Sequence, residues 1–248
     1  MLAAILEVLS RTAKWSNANE GLLTLGIFLS TLFLGWVSGI FASLRNKPRF
    51  HLSLIEGPTF SCTFETGKKH AGFPVHRTGI ALYLTVANIG SAPSSIRSIS
   101  VGYHWHLRPF SMQWLSYRIG WFWLHDQVVA LQDFQSAIGD NIKIYPFLIQ
   151  SSAFSFASPE TYLGVGKSTS GVVYFEQEDS WGGCFPTAEG QKIRIKVAVT
   201  DVFGHRHQSR FRIPCLSLSE ARKFNPSFGK THTELRQESL PFDATPEP

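Results

Sequence analysis

Between Gly21 and Leu44 the chain reads GLLTLGIFLSTLFLGWVSGIFASL, 24 residues without a single Asp, Glu, Lys or Arg. As an α-helix rising about 1.5 Å per residue this stretch is roughly 36 Å long, against a hydrocarbon core of roughly 30 Å. It therefore reads as one membrane-spanning helix, long enough to cross with some tilt. A cleaved signal peptide fits less well, because its apolar region usually runs about 7–15 residues behind a basic start. Here the apolar run is longer and follows Glu20. The charged fraction of 17% is below the roughly 25% of ordinary soluble domains, which agrees with a chain partly immersed in lipid.

Small residues recur every fourth position along this segment, at Thr31, Gly35, Gly39 and Ser43. In lipid such a face lets two helix backbones approach closely, so packing drives association with a second copy or a partner helix. Arg45, Lys47 and Arg49 follow the helix closely, whereas Arg11 and Lys14 before it are mixed with Glu7 and Glu20. That bias places the large domain on the cytoplasmic side. In the leader, Leu2, Ile5, Leu6, Leu9 and Ala13 share one helical stripe, which makes residues 1–15 a short amphipathic helix with Trp15 at headgroup level.

Beyond Pro48 the period changes from helical to alternating. Phe50, Leu52 and Leu54 alternate, then Phe60, Cys62 and Phe64, then Ile80, Leu82, Leu84 and Val86, then Ile99, Val101, Tyr103 and Trp105. Further strands are expected at 142–149, 172–176, 192–200 and 206–213, the last two joined by the turn Asp201-Val202-Phe203-Gly204 as a hairpin. Many short strands with turn signals between them indicate a mainly β antiparallel sandwich over residues 48–218. The stretch LYLTVANIGSAPSSI, Leu82 to Ile96, resembles the strand-and-turn pattern of bacterial immunoglobulin-like domains. The resemblance implies an immunoglobulin-like fold and nothing about function. From 219 to 248 proline, serine, threonine and mixed charge predict a disordered tail.

Two surfaces stand out for binding. Residues 105–135 form an aromatic insertion with four of the seven tryptophans, and Trp114, Tyr117, Arg118, Trp121, Phe122 and Trp123 are of the types that collect at membrane and protein interfaces. The same rings would equally serve as core for a cover over one end of the sandwich. The second surface is basic. Lys192, Arg194 and Lys196 share one parity, and Arg206, Arg210 and Arg212 share one on the next strand. If the turn between them holds an odd number of residues, all six lie on one face; if even, they split. A common face concentrates like charge and calls for an anionic counterpart. The overall balance of +5 is too mild to argue for nucleic acid.

Motifs for catalysis are weak. Gly166-Lys167-Ser168 lacks the earlier glycine and the following helix of a phosphate loop, and no G-x-S-x-G elbow occurs. His104 with His106 and His205 with His207 would make a metal site only if the fold brought the two pairs together. Cys62, Cys184 and Cys215 are odd in number and far apart, as reduced thiols are. No cofactor is implied. The expectation is a single-pass, membrane-anchored binding module, an adaptor or subunit of a membrane-associated assembly. An oligomerising effector that perturbs the bilayer and a tethered enzyme with a histidine site are the rivals.

Overall fold

The computed structural model describes residues 14–15, 17–39, 46–125, 132–150 and 160–230, apart from the side chains of Arg118 and Ile138. The chain divides into two units, Met1–Lys47 and Pro48–Pro248. In the first, helix α1 covers Glu20–Val37, 18 residues of mean hydropathy 1.6 with none buried, long and apolar enough to span a membrane. Ser38 caps its end, and Gly39 stands at φ +77°, a left-handed conformation that glycine adopts freely. Of the helix expected over 21–44, the described part runs to Val37, and positions 40–44 lie outside the described residues. Thr31 and Gly35 are on α1, Gly39 is past its end, and Ser43 lies outside the described residues, as does the leader apart from Lys14 and Trp15.

Side-chain parity along β3 (Phe73–Asn88) sets the layering of the second unit. Ile80, Leu82, Leu84 and Val86 are fully buried on one face, while Ala81 and half-buried Tyr83 pack on the other. Around β3 lie β1 (Phe50–Leu54), β2 (Phe60–His70) and β9 (Ser168–Trp181), all antiparallel to it. A second sheet consists of β4 (Ser94–Tyr103), β5 (Phe122–Leu124), β8 (Tyr162–Leu163), β10 (Ala188–Glu189), β11 (Lys192–Asp201) and β12 (Arg206–Pro214). Ile99, Val101 and Tyr103 from β4 and Ile193, Ile195, Val197 and Val199 from β11 meet Leu82, Leu84 and Phe175 between the sheets. Each such fully buried side chain stabilises the fold by roughly 1.5–3 kcal/mol. The domain is thus mainly β, with two packed sheets.

A third layer departs from the simple sandwich expected. Phe60 and Cys62 face outward from the first sheet into a separate core with Phe134, Tyr145, Phe147, Tyr174, Ala221 and Phe228. The hairpin β6 (Phe134–Ile138) and β7 (Asn141–Tyr145) contributes to it. The strand expected to run through 149 stops at Tyr145, since Pro146 has no N–H to donate to a ladder. The tail expected from 219 also needs correction. Ser217 and Glu220 form a capping box that starts a helix at Leu218–Phe224, which follows α2 (Met112–Ile119) as α3, and Ala221 and Phe228 are buried. Residues 231–248 lie outside the described set.

Candidate cation-aromatic binding face

The centre of the first sheet is covered on both faces, whereas the outer face of the second sheet carries exposed cations and aromatic rings. Alternation on β11 sends Ile193, Ile195, Val197 and Val199 inward and Lys192, Arg194 and Lys196 outward. The β11–β12 register pairs Arg194 with Arg212, Lys196 with Arg210 and Thr200 with Arg206. Five residues, Asp201 to His205, separate that last pair, so the odd-numbered turn holds and all six cations share one face.

Asp201 fixes this turn. It is fully buried, and its Oδ1 accepts the backbone N–H groups of Phe203 (2.9 Å) and His205 (2.8 Å). Its Oδ2 accepts from the rings of His205 and His207, each at 3.3 Å. The Phe50 backbone N–H donates to Nδ1 of His207 (3.3 Å), so Nε2 of His207 carries the hydrogen that reaches Asp201. Burial works against the carboxylate, but the backbone bond from His205 and the two ring bonds outweigh it and hold its pKa below the ordinary value.

The aromatic insertion joins the basic strands here. Residues 105–135 are not a detached cover: α2 leads into β5, whose Trp123 pairs with Gly102 of β4. A Cβ on Gly102 would stand 3.0 Å from the Trp123 ring, so glycine is what seats the indole against the sheet. On the ring lies the Arg206 guanidinium, 4.0 Å from its centroid, and the Lys196 ammonium lies 4.5 Å from the centroid of Trp121. His104 packs 4.2 Å from Trp121 and donates from Nδ1 to the Tyr117 carbonyl (3.0 Å). The other expected interface residues divide. Phe122 turns inward against Tyr103 and Trp105, Tyr117 packs on Trp105, Trp114 lies against Phe110, and the Arg118 side chain is outside the described set.

Charge on the face is unevenly balanced. Glu189 of β10, which sequence reasoning did not single out, sits 2.9 Å from Arg194 and 3.9 Å from Arg212. Among the described residues no carboxylate is within ion-pair distance of Lys196, Arg206 or Arg210. Partial burial, then Arg210 and Arg206, lower the Lys196 pKa. A cleft of about 590 Å³ opens between Trp121 and the three arginines Arg194, Arg210 and Arg212, with Glu189 and His104 in its wall.

The four histidines considered for a metal are not gathered into one site. His104 is against Trp121, His106 stacks on Phe185 (5.2 Å), and His205 and His207 serve Asp201. Among the described residues no cluster of three His, Cys, Asp or Glu has metal-binding geometry. Cys62, Cys184 and Cys215 are free, and burial, followed by the neighbouring Cys215, pushes the Cys62 thiol up to about 11. A thiol so protonated is a poor nucleophile.

No protein-family model matches this chain, and comparison with curated proteins finds none similar to it.

Proposed function

We propose that this chain is a single-pass, membrane-anchored, immunoglobulin-like β-sandwich that works by binding, as an adaptor or subunit of a membrane-associated assembly, with the domain on the cytoplasmic side. The observation that carries the reading is the register that sets Lys196 opposite Arg210 on a face whose one acidic neighbour among the described residues, Glu189, serves Arg194 and Arg212. Like charges directly opposite one another destabilise a sheet, so cations with no carboxylate beside them among the described residues are a cost that an anionic partner offsets. Trp121 and Trp123 add rigid aromatic area beneath the charges, the composition of an interface hot spot. The apolar α1 locates the domain, and its Thr31 and Gly35 face is suited to packing on another membrane helix.

The reading is tested by purifying the full-length protein and its Trp121→Ala variant in mild detergent and identifying what accompanies each. A discrete companion that is present with the wild type and lost from a folded variant supports it. Absence of any companion, with bilayer leakage caused by the protein alone, favours the rival effector.

A further inference from the structure

Resting on the reading that this face is the working surface, we infer that the cleft between Trp121 and Arg194, Arg210 and Arg212 binds an organic phosphomonoester. Three guanidiniums against the single carboxylate of Glu189 leave the cleft two positive charges in excess. A phosphomonoester carries about −1.5 to −2 at neutral pH, whereas a carboxylate or a phosphodiester carries about one charge. The planar fork of arginine matches phosphate oxygens two at a time. Arg210 is the group best placed to receive them. It stands opposite Lys196 in the ladder and has no carboxylate partner among the described residues, while Arg194 and Arg212 are shared with Glu189.

The size of the cleft specifies more than inorganic phosphate. At about 590 Å³ it lies within the roughly 300–1,000 Å³ of pockets that hold small organic ligands. The phosphate occupies the arginine end, and the organic part lies along Trp121. That ring is already covered by the Lys196 ammonium and the His104 imidazole, so it acts as a wall and not as an open stacking platform. A dianion at Arg210 also eases its repulsion of Lys196, which, after partial burial, lowers the Lys196 pKa.

The test uses full-length protein in phosphatidylcholine nanodiscs, titrated with phenyl phosphate and, separately, with diphenyl phosphate, binding being read by tryptophan fluorescence and calorimetry. Phenyl phosphate is expected to saturate one site at least tenfold more tightly than the diester. Arg210→Gln should weaken it tenfold or more with an unchanged circular dichroism spectrum, while Lys143→Gln, on the β6–β7 hairpin, should leave it within twofold. Equal affinity for the two esters, or equal loss in both variants, overturns the inference. Nanodiscs containing phosphatidylinositol 4-phosphate distinguish the source: competition with phenyl phosphate assigns the site to a lipid headgroup, and unchanged phenyl phosphate binding assigns it to a soluble ester. Failure of phosphate binding while Trp121→Ala still loses its companion refutes this inference alone; phosphate binding without any companion refutes only the adaptor reading.

Discussion

The ammonium of Lys196 lies 4.5 Å from the ring centroid of Trp121, and this contact joins two segments far apart in the chain into one surface. Lys196 is partly buried there, and that burial, ahead of Arg210 and Arg206, lowers its pKa. Trp121→Ala removes the cover and a cation-π contact worth about 0.5–2 kcal/mol. That contact favours the charged ammonium while burial disfavours it, so the two losses oppose each other in the Lys196 pKa. Arg210→Gln removes a like charge alone and should raise the Lys196 pKa toward the ordinary lysine value, as followed by NMR titration of the side-chain amine.

Gly102 and Trp123 make a second prediction. A valine at 102 would push its Cβ against an indole held on its other side by Arg206. Gly102→Val should cost roughly 1–3 kcal/mol, the range for overpacking, and shift the tryptophan emission to the red as Trp123 lifts toward water. Denaturant unfolding and fluorescence measure the two effects.

Asp201 controls the register on which the face depends. Asp201→Ala leaves the Phe203 and His205 backbone N–H groups and the His207 ring without their acceptor. A group left unpaired out of water costs about 1–3 kcal/mol, but Phe203 and His205 are exposed and water takes up part of their loss, so a total of roughly 2–4 kcal/mol is expected in denaturant titration.

The pH dependence has a definite sign. Asp201 has a lowered pKa in the folded state, so the unfolded chain binds more protons as the pH drops. Its stabilising contribution is fully present above the unfolded value of about 3.9 and is lost as pH falls through the folded value. Stability of the wild type should fall more steeply below about pH 4 than that of Asp201→Asn.

Much of the fold was legible because period and hydrophobicity act locally. The alternation of Ile80 to Val86 and of Ile99 to Tyr103 identified inward faces, and the apolar run marked α1. The resemblance of Leu82 to Ile96 pointed to strand and turn, and that stretch lies across β3 and β4. What local pattern could not supply was the second core. Phe60 and Cys62 share a parity that fits either side of a sheet, and only the distant Phe134 and Phe228 decide which side is covered. The six cations were legible as two sets, but their union depended on the turn that Asp201 closes. The position of Trp121 beside Lys196 depended on β5 pairing with β4, which a three-residue strand does not announce. Glu189 belongs to a two-residue strand and gave no pattern at all.

On the membrane helix, the Thr31 hydroxyl donates to the Ile27 carbonyl (2.8 Å), so it is satisfied within α1 and leaves a small, smooth face with Gly35. Gly35→Leu fills that face. If α1 associates through it, the variant should reduce cross-linked oligomers in bilayers several-fold without changing membrane insertion.

The most direct test of the binding face is charge reversal at its unbalanced end. Full-length wild type and the Arg206→Glu, Arg210→Glu double variant are purified from membranes side by side, and the associated proteins are quantified by mass spectrometry. The account predicts at least a tenfold loss of a companion from the double variant while its near-UV circular dichroism stays that of the wild type. Equal recovery of the companion by both proteins would contradict it.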